Sequence, residues 1–82
     1  MKREQETPNQ AEFVYGHYAS VAALKGTQEI NKVWLQTGLQ DKIRNEVTQL
    51  AKKRGLVIQQ APKSKLDELT DGGNHQGVVL SV

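Results

Sequence analysis

The apolar run at the end of the chain constrains the fold more than any other feature. After His75-Gln76-Gly77 the sequence continues as Val78-Val79-Leu80-Ser81-Val82. A run without apolar and polar alternation is typical of a strand buried on both faces, so helices must cover both sides of its sheet. Because domains seldom end inside a buried strand, we also expect this 82-residue chain to be a piece of a longer protein.

Three further short segments have the character of strands. Each is rich in aromatic, β-branched or leucine side chains and is bounded by glycine, asparagine or proline. They lie at 12–15, 33–35 and 56–58. All of them are apolar at consecutive positions, which again indicates a sheet that is covered on both faces.

Helices are predicted between the strands. From Gln40 to Arg54 the apolar residues recur at i, i+4, i+7 and i+8, which predicts the longest helix. Shorter helices are predicted over 19–24 and from Ser64, where Asp67 three residues later resembles a capping box. The order β-α-β-α-β-α-β therefore predicts the fold class α/β, with the sheet between two helical layers in a three-layer α/β/α sandwich.

Composition narrows the class of protein. The chain has no cysteine, which excludes disulfides and thiolate metal sites. It has no apolar segment near the roughly 20 residues needed to cross a membrane, and no signal peptide, so we expect a cytoplasmic protein without a membrane partner. Residues 1–11 are polar and include Pro8, which predicts a disordered tail followed by one domain over 12–82.

Positive charge is concentrated in the middle of the chain. The net charge is +2, but Lys32 to Lys65 holds eight basic and two acidic residues. Such a block can attract a polyanion, or it can consist of solvated lysines on helix exteriors. The long helix ends with the basic residues Lys52, Lys53 and Arg54. They could contact phosphates, or they could only complement the helix dipole.

Residues suited to catalysis are sparse. The two histidines, His17 and His75, have no cysteine partner and no recognisable spacing to an acid. We therefore predict no catalytic residue, no metal site and no cofactor site in this chain. Gly72-Gly73 precedes a strand rather than a helix, so it is interpreted as a turn, and Trp34 is interpreted as a core residue.

Gly16 is the most suggestive position. It follows a predicted strand and precedes a predicted helix, whose first N–H groups have no partner within the helix. His17 and Tyr18 would flank these donors. The alternative is that Gly16 only forms a tight turn and that Tyr18 is a core aromatic.

Several of these segments together resemble a known family. They are Phe13-Val14-Tyr15-Gly16-His17, Ala19, Ala23-Leu24, Ser64, Leu66, Leu69 and His75-Gln76-Gly77-Val78. The combination is similar to the N-terminal substrate-binding domain of the SpoU/TrmH ribose 2′-O-methyltransferases, above all the RlmB-like members, which modify a guanosine of 23S ribosomal RNA. The resemblance covers 12–82. Tyr18 stands where the family often has histidine or asparagine, which leaves open whether His17 or Tyr18 faces RNA.

The resemblance implies a fold like that of ribosomal protein L30, with a small mixed four-stranded sheet in the order 1-4-2-3 and strand 4 antiparallel to the others. This order would bring Gly16-His17 beside His75-Gln76-Gly77. The implied partner is ribosomal RNA, and we expect basic residues near this patch, such as Lys32, to steer its backbone. The predicted RNA-binding residues are Gly16, His17, Tyr18, Lys32, His75, Gln76 and Gly77.

The resemblance also implies what lies outside this chain. A catalytic domain would follow Val82 and hold S-adenosylmethionine, so this chain would not methylate RNA by itself. The parent would form a homodimer through that domain, and this chain would be a monomer. Two alternatives remain open: a free-standing kink-turn-type RNA-binding protein, and a structural or dimerising α/β domain without a role in RNA binding.

Overall fold

A computed structural model describes residues 12–82, so the tail predicted over 1–11 lies outside the described residues. The predicted alternation of strands and helices is confirmed. Within 12–82 no helix is both long and apolar enough to span a membrane. The elements are β1 (Phe13–Tyr15), α1 (His17–Lys25), β2 (Lys32–Gln36), α2 (Asp41–Lys53), β3 (Ile58–Ala61), α3 (Lys63–Leu69) and β4 (Val78–Ser81).

The four strands form one mixed sheet in the order β1-β4-β2-β3. β4 is antiparallel to β1 and to β2, whereas β2 and β3 are parallel. Tyr15 at the end of β1 is opposite Val79, and Leu35 near the end of β2 is opposite Val78. The strand order and directions that the resemblance implied are therefore confirmed, and the ends of β1 and β2 both lie beside the beginning of β4.

β4 is buried on both faces, as its apolar run predicts. Val78 and Leu80 belong to the larger apolar cluster, which α1 and α2 help to form. Val79 points the other way, into a smaller cluster with Leu66 of α3. All four side chains are fully buried, and burial of each stabilises the fold by about 1.5–3 kcal/mol. The sheet thus lies between a two-helix layer and a one-helix layer.

The prediction for the third strand was wrong in its position and pattern. β3 begins at Ile58 rather than at Leu56 and contains the exposed residues Gln59 and Gln60. It lies at the edge of the sheet and pairs only with β2, so it does not need the continuous apolar pattern of a central strand. Val57, just before it, is 60% exposed.

The capping box predicted at Ser64 and Asp67 was also wrong. α3 begins one residue earlier, with Pro62 in the cap position and no side-chain cap. The carbonyl of Pro62 accepts a hydrogen bond from the Lys65 N–H at 2.9 Å, and the fixed φ of proline suits the entry to a helix. Asp67 is thereby free to bond elsewhere.

Arg54 bonds to another helix, which was predicted neither by the phosphate-binding nor by the helix-dipole interpretation. Its guanidinium donates to the carbonyl oxygens of Ala23, at 3.2 Å, and of Gln28. These oxygens lie at and beyond the last turn of α1, where helical carbonyls lack partners. Arg54 therefore ties α2 to the end of α1, while phosphate contact by Lys52 and Lys53 stays a prediction.

Candidate functional site

Gly16 joins two loops that are far apart in sequence. Its N–H is shared between the carbonyl oxygens of His75 and Val78, each at 3.1 Å. Its φ of +94° is rarely adopted by residues with a side chain. A Cβ there would also lie 3.3 Å from Oε1 of Gln76. The first loop can therefore approach the loop before β4 closely because position 16 is glycine.

Gln76 caps α1 from the opposite loop. Its Oε1 accepts the His17 N–H at 2.8 Å, across 59 positions of sequence. α1 has no side-chain cap of its own, so this contact satisfies one of its unpartnered N–H groups. Gln76 has a φ of +53°, and no residue in 12–82 accepts a hydrogen bond from its Nε2. The Oε1 acceptor of Gln76 thus bonds within the fold, whereas its Nε2 donor remains available to a ligand.

His75 is a buried structural residue. Its side chain is 4% exposed, and Nδ1 accepts the Gly77 N–H at 2.9 Å. Because Nδ1 accepts, the ring proton is on Nε2, which donates to Oδ1 of Asp67 at 2.7 Å. The hydrogen bond from His75, followed by that from Lys63, lowers the pKa of the Asp67 carboxyl below 3.8. Both ring nitrogens are engaged, so His75 positions its loop and has no free polar group for a ligand.

Gly77 fixes the start of β4. It has a φ of +84°, and an added Cβ would lie 2.5 Å from Cδ1 of Leu39. Its carbonyl accepts the N–H of Gln36 at 2.9 Å, which anchors it to the end of β2. Gly77, like His75, therefore shapes the site through the backbone.

Tyr18 lies on the surface, which decides between the two interpretations left open for it. Its side chain is 81% exposed. Its ring centroid is 4.9 Å from that of His17, and Nε2 of His17 is 2.8 Å from Oε1 of Glu46 on α2. His17 is held by α2 on one side and supports Tyr18 on the other. Tyr18 is consequently the open aromatic of the group.

Lys32 lies apart from the other predicted site residues. It is opposite Ser81 at the far end of β4, about 13 Å along the strand from Gly77. Its Nζ is 4.9 Å from the ring centroid of Trp34, and Nζ of Lys65 is 5.8 Å from the same ring. Trp34 packs against the smaller cluster but is only half-buried, less than the core interpretation implied. The structure thus groups six of the seven predicted residues and places Lys32 elsewhere.

A cleft that sequence reasoning missed lies beside this group. It has a volume of about 490 Å³ and is formed where β2 and α3 meet the loop before β4. Nothing in the local sequence marks Gln36 as a site residue, although the order 1-4-2-3 places the end of β2 beside the start of β4. The lining residues are Gln36, Leu39, Lys63, Asp67 and Gly72 to Gly77.

The chemistry offered here is hydrogen bonding rather than metal binding. Among residues 12–82 no group of three histidine, cysteine or acidic side chains is placed to hold a metal ion. The N–H groups of Tyr18 and Ala19, in the first turn of α1, have no acceptor within that range. With Nε2 of Gln76 and the ring of Tyr18, they form a surface of exposed donors beside an aromatic face.

Comparison with known proteins identifies relatives of the whole described region. Residues 13–82 match the family model described as RNA 2′-O ribose methyltransferase substrate binding. The chain is 35% identical over 72 residues to an uncharacterized tRNA/rRNA methyltransferase of Synechocystis, covering 87% of this chain and 19% of that protein.

Two further relatives are assigned to the TrmH family of tRNA/rRNA methyltransferases. The protein of Staphylococcus haemolyticus is 40% identical over 69 residues, which is 84% of this chain and 27% of that protein. YacO of Bacillus subtilis is 37% identical over 73 residues, which is 89% of this chain and 29% of that protein. The chain thus spans less than a third of the length of these curated relatives.

Proposed function

The chain belongs to the SpoU/TrmH family of RNA 2′-O ribose methyltransferase substrate-binding domains, and we propose that it recognises ribosomal RNA for a guanosine 2′-O-methyltransferase that acts on 23S RNA. The single observation that carries this proposal is the joining of the α1 entrance to the loop before β4. That junction leaves an aromatic ring and unpaired donors on one surface. RNA is recognised largely through such stacking surfaces and through donors to its bases, ribose hydroxyls and phosphates.

The residues of the junction divide into two roles. Gly16, His75 and Gly77 hold the two loops together through buried or backbone contacts. Tyr18 and the amino group of Gln76 are exposed and have no partner in the described fold. RNA contact is therefore assigned to Tyr18 and Gln76, with the exposed edge of His17 beside them.

The chemistry of methyl transfer is assigned to sequence outside this chain. S-adenosylmethionine carries positive charge on its sulfonium and amino groups, which favours a free carboxylate in its site. Among the described residues that line the cleft, Asp67 is the only carboxylate, and it is already bonded to Lys63 and His75. The cleft thus offers no free carboxylate to the cationic groups of this cofactor, and we assign S-adenosylmethionine to a catalytic domain outside this chain. We further propose that the chain alone is non-catalytic and monomeric, and that a cytoplasmic parent dimerises through the catalytic domain.

An RNA titration of the full 82-residue chain, followed by amide chemical shifts, tests this proposal. With a stem–loop RNA taken from 23S ribosomal RNA, the largest shifts are expected around Tyr18 and Gln76. Binding should weaken as salt rises, because phosphate contacts release counterions. Shifts confined to the end of the sheet that contains Lys32 would show that RNA does not bind at Tyr18 and Gln76. No salt-dependent binding would favour the structural or dimerising domain.

The Tyr18→Ala variant gives the sharper test. Stacking of a base on an aromatic ring contributes about 1–3 kcal/mol, so affinity should fall roughly 5- to 150-fold. The melting temperature should hardly change, since Tyr18 is mostly exposed. Val57→Ala, at the opposite edge of the sheet, is the matched control and should bind normally. Equal RNA affinity of the two variants would show that Tyr18 does not contact RNA.

A further inference from the structure

We propose that the cleft beside the loop 72–77 binds one unpaired nucleobase, which the side-chain amides of Gln36, Asn74 and Gln76 read. This inference rests on the proposed function and adds to it a second contact on the same RNA strand. The cleft volume of about 490 Å³ lies within the range of roughly 300–1,000 Å³ typical of small-ligand sites. Leu39 contributes an apolar wall against which the face of a base can pack.

The three amides are the first evidence for a base. Gln36 comes from the end of β2, whereas Asn74 and Gln76 come from the loop before β4. Within residues 12–82 the side chains of Gln36 and Asn74 make no hydrogen bond, and Gln76 uses only its oxygen. A carboxamide carries a donor and an acceptor side by side, as the edges of nucleobases do. Two amides that offer both groups, together with the donor of Gln76, match a ligand with mixed donors and acceptors.

The charge of the cleft is the second piece of evidence. Nζ of Lys63 is 3.0 Å from Oδ2 of Asp67, and the ring of His75 donates to the other oxygen. The lysine and the carboxylate balance each other, so the cleft has no excess charge. A phosphate site would present unpaired cations. The balance therefore favours the uncharged base over the phosphate of a nucleotide.

Gln76 connects the cleft to the Tyr18 surface. Its oxygen is fixed on the His17 N–H at the entrance of α1, and the same residue lines the cleft. Because His17 is the neighbour of Tyr18, we expect one RNA strand to stack a base on Tyr18 and to place another base in the cleft. The fold thus provides two adjacent contacts for unpaired nucleotides.

Titration of the full chain with the four nucleoside 5′-monophosphates, followed by amide shifts, tests the cleft directly. Shifts are expected at Gln36 and over 72–77, and they should differ among the four bases. Asn74→Ala and Gln36→Ala should each weaken the preferred nucleotide roughly 2- to 10-fold, the loss of about one hydrogen bond. Asn45→Ala, an exposed amide on α2, is the matched control. Ribose 5-phosphate giving the same shifts as the nucleotides would overturn the proposal in favour of a phosphate site.

A second measurement separates this inference from the proposed function. A stem–loop RNA should bind more tightly than a fully paired duplex of the same stem, and Asn74→Ala should reduce that preference. If Tyr18→Ala weakens stem–loop binding while Asn74→Ala and Gln36→Ala leave it unchanged, the cleft proposal is overturned and the proposed function stands. Absence of binding to either RNA overturns both.

Discussion

Replacing Gln76 separates the part it plays in the fold from the part proposed in RNA binding. Gln76→Ala removes the acceptor of the His17 N–H, a hydrogen bond of 2.8 Å. The net contribution of such a bond is about 0.5–1.5 kcal/mol, and loss of a helix cap costs a similar amount. The backbone strain at φ +53° is present with either side chain, so it cancels. In a domain of this size about 1 kcal/mol lowers the melting temperature by roughly 4–8 °C.

Gln76→Glu is the informative counterpart. A carboxylate oxygen can accept the same N–H, and a negative charge at the start of a helix adds about 0.3–1 kcal/mol of stability. The variant therefore keeps the cap but loses the amino donor and repels phosphate. We expect a melting temperature at or above that of the original chain and a clearly weaker affinity for RNA. Gln76→Ala should lose both stability and affinity.

Thermal melts followed by circular dichroism and RNA binding followed by fluorescence anisotropy give the two readouts. Gln49→Ala and Gln49→Glu, at an exposed position of α2, control for composition and charge. A Gln76→Ala melt within about 1 °C of the original, against the expected 4–8 °C, would refute the capping argument. Gln76→Glu that binds RNA normally would refute the donor argument instead.

Three further changes test the packing and the electrostatics around the site. Gly77→Ala should destabilise by roughly 2–4 kcal/mol in urea unfolding, because it adds strain at φ +84° and a clash with Leu39. Arg54→Lys should cost about 1 kcal/mol without changing the salt dependence of RNA binding, because one ammonium cannot reach all the carbonyl oxygens that the guanidinium contacts. Asp67 contributes stability above its usual pKa of 3.8 that is lost as pH falls through its lowered value in the folded state. Asp67→Asn should flatten this acid decline, and an unchanged decline would show that ionisation of Asp67 does not stabilise the fold.

The sandwich and its central strand could be predicted because burial leaves a pattern in the sequence. A strand covered on both faces needs apolar side chains at consecutive positions, and Val78, Val79 and Leu80 supply them. The same logic failed for β3, since an edge strand buries less and tolerates Gln59 and Gln60. β1 lies at the other edge and was nevertheless predicted, because its three residues are all apolar or aromatic.

The site was only partly predictable, for a different reason. Residue types indicated that His75 and Gln76 could bond to RNA, but they do not reveal which atoms the fold already uses. His75 uses both ring nitrogens internally, whereas Gln76 uses one of its two polar groups. Gln36 borders the cleft because β2 lies beside β4 in the sheet, and no local sequence pattern reveals that strand order. Lys32 was predicted near the other site residues but lies at the far end of the sheet. A concentration of charge in the sequence does not reveal at which end of the sheet a residue lies.

The way the two loops are joined also determines what kind of ligand the surface favours. The junction uses acceptors: the carbonyl of His75 receives two N–H groups, and Oε1 of Gln76 receives a third. Among residues 12–82, the groups near α1 that have no hydrogen-bond partner are donors, namely the N–H groups of Tyr18 and Ala19 and the amino group of Gln76. An RNA backbone is rich in acceptors, in its phosphate oxygens and ribose hydroxyls. The α1 entrance is therefore matched to the backbone, and the amides of Gln36 and Asn74, which keep both donor and acceptor within residues 12–82, are matched to a base.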